Sequence, residues 1–264
     1  MAQPDFRSPQ DIARLGRPRL FVGITSGAMD SMVNHYTAHK RRRPDDAYTP
    51  GGAAGRRPDR AVIAYARLAR QAFGPNTPIV LGGIEASLRR IAHYDYWDDR
   101  VHPSVLIPSG ADLLGYGQGE RPVLEIARRL ASGEDICGLV DIPGTALALS
   151  DLGMAGLEVR SRGVVQLPPL EEVLVDKRRF AEAASTTSST TPTTPASWCS
   201  GERLRHVVVN EPMPPPGGCR RRSCAGVIPP AGRWSRRRCG GRDGCARVSA
   251  SAPTSGPLAY PDAG

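Results

Sequence analysis

The chain has 264 residues, 40% of them hydrophobic, 23% charged and only 5% aromatic, with a formal net charge of +9. These totals suit one large soluble domain or two small ones and exclude a coiled coil or a collagen-like chain. No stretch approaches the roughly 18 apolar residues of a spanning helix, and the polar start lacks the apolar core of a secretory signal. No membrane partner is therefore expected.

The charge is unevenly spread. Residues 181–264 carry 11 of the 35 basic and 5 of the 26 acidic residues, so this third of the chain supplies +6 of the +9. It also carries five of the six cysteines and 11 of the 25 prolines. It has too little apolar surface to offset the entropy of ordering, so residues 182–264 are expected to be a low-complexity, disordered tail. Residues 1–17 are expected to be a flexible N-terminus, leaving 18–181 to fold.

Within that span, residues 20–24 form a compact apolar run that predicts a strand, ending at Thr25-Ser26-Gly27. Asp59 is placed to cap a helix through Phe73, which Gly74-Pro75-Asn76 ends. Residues 78–81 predict the next strand, followed by Gly82-Gly83, and residues 112–116 another, followed by Gly117-Gln118-Gly119. Helical spacing then predicts a helix over 120–131. Strand and helix in alternation imply right-handed crossovers and a Rossmann-like parallel sheet with flanking helices, an α/β fold. From Gly144 the texture changes. Residues 145–149 and 164–167 read as a β-hairpin, and residues 170–184 as a last helix.

In an open parallel sheet, ligands lie beyond the carboxyl ends of the strands. The loops expected there supply the candidate crevice residues Thr25, Ser26, Asp30, His35, Gly82, Gly83, Glu85, Gly117, Gly119 and Glu120. The glycines either let backbone N–H groups approach a ligand or only permit tight turns. The sequence contains no G-x-G-x-x-G fingerprint, no phosphate-loop motif and no nucleophile elbow. A polar-aromatic cluster at His93, Tyr94 and Tyr96, running on to Trp97, combines flat apolar faces with hydrogen-bonding tips. It suits either a ligand or another domain, or packs as a partly buried loop. Residues 40–46, with Lys40 to Arg43 followed by Asp45 and Asp46, read as a solvated loop.

Cys137 stands alone and reads as a small hydrophobe. The Cys219/Cys224 and Cys239/Cys245 spacings are looser than those of zinc knuckles, so no metal site is assigned.

Three strings then stand out: LFVGITSGAMDSMVNHYT at 20–37, DDAYTPGG at 45–52 with RPDRA at 57–61, and PIVLGGIEASLRRIAHYDYW at 78–97. In this order they resemble the N-terminal region of the YgiQ family of radical SAM proteins. The resemblance covers residues 18–181, with a weaker echo in RHVVVNEPMPP at 205–215. It implies a cobalamin-binding-type Rossmann domain preceding a catalytic barrel, in a bacterial cytoplasmic enzyme that uses a 4Fe-4S cluster and S-adenosylmethionine (SAM). In that family a C-x3-C-x2-C motif holds the cluster, which cleaves SAM to a deoxyadenosyl radical. This sequence has no such motif and no D-x-H-x-x-G cobalamin motif.

The expectation is therefore an accessory domain lacking its barrel, with no catalytic, cofactor-binding or metal residues of its own and no activity alone. Its partner is the missing C-terminal barrel. The tail composition is expected from a frameshift in GC-rich DNA. Two alternatives stand beside this reading. One is a basic nucleic-acid-binding protein acting through the arginine-rich tail, although no specific nucleic-acid partner is expected. The other is a small α/β nucleotide-binding enzyme.

Overall fold

The structure, a computed structural model, describes residues 3–150, 165–189, 196–200, 205–210, 234–236 and 248–250. The chain divides into two units, Met1–Met213 and Pro214–Gly264. The first unit begins with α1 (Pro9–Ala13), β1 (Val22–Thr25), α2 (Ser31–His35) and α3 (Ala61–Phe73). There follow β2 (Ile79–Gly82), α4 (Gly83–Leu88), β3 (His93–Asp95), β4 (Arg100–His102), α5 (Leu106–Ser109), β5 (Leu113–Gly115) and α6 (Glu120–Ala131). It continues through β6 (Thr145–Ser150), β7 (Val165–Gln166), α7 (Leu170–Val175), α8 (Lys177–Ser189), β8 (Ala196–Ser200) and β9 (Arg205–Val209). In the second unit, β10 (Trp234–Arg236) pairs antiparallel with β11 (Val248–Ala250).

The main sheet has seven strands in the order β1-β2-β5-β6-β9-β8-β7. β1, β2 and β5 are parallel, as the strand–helix alternation predicts. Their central residues face helices on both sides. Ile79, Leu81 and Leu114 join Val62, Ala66 and Ala69 of α3 in one core, and Val80 and Leu113 join Ile126 of α6 in the other. Burial on both faces explains why these strands read as continuous apolar runs rather than alternating ones. Removing each such side chain from water contributes about 1.5–3 kcal/mol.

The predicted hairpin is corrected. Its strands exist as β6 and β7, but they do not pair with each other. β9 lies against β6 in antiparallel register, and β8 joins β9 to β7. The physical reason lies in Val207, Val208 and Val209, a β-branched run that is fully buried and completes the core. Asn210 anchors it, donating its backbone N–H to Thr145 O (2.8 Å) and its side-chain amide to Ile142 O (3.0 Å).

The expected disorder beyond position 181 is corrected for residues 182–189, 196–200 and 205–210, since a helix and two sheet strands lie there. Apart from β10 and β11, residues 211–264 lie outside the described residues. The predicted last helix is two, α7 and α8, broken at Asp176 in extended conformation. At the other end, residues 9–13 are helical, and Phe6 and Ile12 pack on the core rather than fraying. No helix among the described residues is long and apolar enough to cross a membrane.

Candidate functional site

The carboxyl ends of β1 and β2 carry α2 and α4. Asp30 caps α2, accepting from the N–H groups of Met32 (2.9 Å) and Val33 (3.3 Å), and its other oxygen pairs with Arg89. Gly83 opens α4 at φ +81°, where an added Cβ would collide with Thr25 Oγ1. This glycine therefore has a packing reason as well as a conformational one. It lets Glu85 enter the core, where the side chain is fully buried. Glu85 accepts from the backbone N–H of Ser31 (2.9 Å) and of Val62 (3.3 Å). One carboxyl group thus serves the first turns of two helices.

Asp59 does not cap α3. The cap position is Arg60 in the left-handed region, and the orphan N–H of Ala61 is taken by Ser31 Oγ at 3.1 Å. Asp59 instead accepts from Tyr36 OH (2.7 Å) and lies 2.8 Å from His35 Nδ1. Asp46, read above as part of a solvated loop, is buried. Arg57 grips it with two hydrogen bonds, Nε to Oδ2 at 2.8 Å and Nη2 to Oδ1 at 3.1 Å. Burial alone would push the Asp46 carboxyl up, but the Arg57 fork and the Tyr48 and Thr49 donors hold it well below the carboxylate range. Arg57 also donates to Ser26 O at 3.2 Å, tying this pair to the loop after β1.

In front of this framework lies a crevice of about 540 Å³. Asp30, Val33, Tyr36, Leu88, His93 and Trp97 are among its walls. The Tyr36 and Trp97 rings lie 4.2 Å apart, tilted by 38°. Tyr96 bonds Ala38 O, and Lys40 Nζ sits 5.0 Å over its ring while donating to Trp97 O at 2.9 Å. The polar-aromatic cluster is thus not an irregular loop but the β3–β4 hairpin and its turn. Burial lowers His93 to about 4, so its ring is neutral at pH 7. Nδ1, 3.2 Å from Ile91 O, then carries the proton, and Nε2 is left as an acceptor. Val33 and Leu88 are 58% and 60% exposed, and Tyr94 and Tyr96 are half exposed.

Of the candidate residues, Asp30, His93, Tyr94 and Tyr96 meet in this crevice. Thr25 and Ser26 line a different cavity, beside β1. His35 and Glu85 are buried behind the crevice as framework. Gly82, Gly83, Gly117, Gly119 and Glu120 line neither cavity. Sequence reasoning missed the Asp46–Arg57 fork and read Asp59 as a helix cap rather than as the partner of His35 and Tyr36. Their only signal was membership of the DDAYTPGG and RPDRA strings.

Asp95, Asp98 and His102 bring ligand atoms within 4.8 Å of one another. The position of a cation is filled by Arg60, whose Nη2 lies 2.9 Å from Asp95 and 2.7 Å from Asp98. The cluster implied by the resemblance needs three thiolates, which the sequence does not offer in a C-x3-C-x2-C run. Cys137 lies on the turn Ile136–Gly138, where desolvation and then the hydrogen bond to Asp135 push its thiol up. A thiolate ligand needs the opposite shift. The residues present do not fit an iron–sulfur cluster.

Comparison with known proteins shows the family. Over 181 residues the chain is 54% identical to a UPF0313 protein of Geobacter sulfurreducens, covering 69% of this chain and 29% of that one. It is 48% identical over 216 residues to a UPF0313 protein of Thermotoga maritima, covering 81% and 36%. The chain therefore spans about a third of the length of these relatives. A solved radical S-adenosylmethionine methyltransferase, TsrM from Kitasatospora setae, aligns over 54% of the chain and 20% of its own, with 20% identity and a TM-score of 0.33. The family described as Radical SAM N-terminal matches residues 1–218, and the chain belongs to it.

Proposed function

We propose that this chain is the accessory domain of a radical SAM enzyme and that its carboxyl-end crevice forms one wall of the substrate site. On this reading the SAM-cleaving cluster sits in the part of the full-length relatives that this chain does not match, and this chain alone is inactive. A cytoplasmic location belongs to the same reading. The crevice between the Tyr36–Trp97 pair and Leu88 carries the proposal. Its half-exposed apolar side chains stand on a framework tied together by Asp30, Glu85 and the Asp46–Arg57 pair, which suits a surface covered by another domain. Of the two arginines of the crevice wall, Arg89 is paired with Asp30.

The test is a chimera in which residues 1–210 replace the matching segment of the Geobacter relative. In the isolated chain, the double change Val33→Lys and Leu88→Lys alters exposed positions and is expected to leave stability within about 0.5 kcal/mol. In the chimera the same change is expected to lower Tm and speed proteolysis at the joint. Equal behaviour of the chimera and its double variant overturns the proposal.

A further inference from the structure

A second cavity, of about 480 Å³, lies along the outer edge of β1 and shares no residue with the crevice. β1 is the terminal strand of the sheet. Val22 donates its N–H to Pro78 O at 2.8 Å, in register with Ile79. In a parallel ladder each residue turns both backbone groups to the same neighbour, alternating along the strand. Val22 and Ile24 therefore face β2, and the N–H and C=O groups of Gly23 and Thr25 face the free edge. Both residues are exposed.

An unpaired edge is normally covered or blunted. Here it opens into the cavity instead. The opposite wall is the N-terminal segment, through Ile12, Leu15 and Pro18, and the floor is α3, through Tyr65, Ala69 and Phe73. Burial raises the Tyr65 phenol to about 12, and its hydroxyl donates to Pro4 O at 3.4 Å, tying α3 to the N-terminal segment. The volume lies within the ordinary range of small-molecule sites, with apolar walls and a few convergent polar groups.

The geometry points to a flat nitrogen heterocycle of nucleoside size as the ligand, paired side by side with Gly23 C=O and Thr25 N–H. On one strand edge, the C=O of one residue and the N–H of the residue two further on lie next to each other. An adenine ring matches them, its amino group donating to Gly23 O and the neighbouring ring nitrogen accepting from Thr25 N–H. Phe21, Tyr65 and Phe73 offer aromatic surface to the ring. A peptide strand added at this edge would have to displace the N-terminal segment, and only two residues of β1 have free groups for it. The proposal is independent of the crevice and of its role.

The test uses the full chain and adenosine as probe, by isothermal titration and by hydrogen exchange. Saturable one-site binding is expected. Purine riboside, which lacks the amino group, should bind about tenfold more weakly. Adenosine should slow exchange of the Thr25 amide and leave that of Ile24, already in the ladder, unchanged. Thr25→Pro deletes the donor without touching the β1–β2 bonds and should weaken binding about tenfold. The exchange measurement on the unaltered chain decides the matter if that variant folds poorly. The proposal is overturned by no saturable binding at millimolar adenosine, or by equal binding of both nucleosides with an unchanged Thr25 amide. Protection of Thr25 by an extended peptide but not by adenosine also overturns it.

Discussion

Glu85 Oε2 accepts the backbone N–H of Ser31 at 2.9 Å across 54 residues of sequence, while its other oxygen takes the N–H of Val62. The side chain is fully buried, so neither donor has water as an alternative. Glu85→Gln keeps one acceptor but sets an amide N–H against a backbone donor. It is expected to cost about 1–3 kcal/mol in urea unfolding, and Glu85→Ala at least as much. Unfolding midpoints indistinguishable from the parent would contradict this role.

His93 makes stability depend on pH. Burial holds its folded pKa at about 4, against an ordinary value of 6.5. Between those values the unfolded chain binds the extra proton, so stability rises with pH, is complete above 6.5, and is lost as pH falls toward 4. His93→Gln should flatten this slope, a difference on the order of 3 kcal/mol between pH 7 and pH 4. A variant with the parental pH dependence counts against a buried neutral imidazole.

Asp46 acts in a lower window. Its folded carboxyl titrates below the usual carboxylate range, so its contribution is present above about 4 and is lost as pH falls further. Asp46→Asn should remove that component of acid unfolding and lower stability at neutral pH, because the buried Arg57 loses its charged partner. Circular dichroism followed between pH 5 and pH 2 reads both effects.

Adjacent glycines should respond differently. Gly83 has φ +81° and no room for a Cβ beside Thr25, whereas Gly82 is extended with open space around it. Gly83→Ala is expected to cost about 2 kcal/mol or more, and Gly82→Ala less than about 1 kcal/mol. Similar losses at both positions would show that the turn tolerates a side chain.

Much of the first 131 residues was legible because local pattern and tertiary role agree. The apolar runs at β1, β2 and β5 and the 3.6-residue spacing of α6 gave the elements within a residue or two. The partners of Glu85 were not legible, because a buried carboxyl reads like an exposed one in sequence and its donors are backbone groups far away. Asp46 was misplaced for the same reason: the arginine that pairs with it lies 11 positions on, beyond a glycine-rich turn. β8 and β9 were obscured by the arginine-, serine- and proline-rich segments around them, whose composition outweighed the short valine run. The β3–β4 hairpin was missed because its tight turn at Trp97 to Asp99 contains no glycine, and Asp99 adopts φ +53° instead.

The central claim is that the crevice faces another domain in the full-length relatives. It is tested most directly by hydrogen exchange of the isolated chain against the chimera with the Geobacter relative. The account predicts that amides of residues 31–38 and 93–97 become protected in the chimera, while those of α6 on the opposite side of the sheet do not change. Unchanged exchange at 31–38 and 93–97, with protection confined to α6, would contradict it.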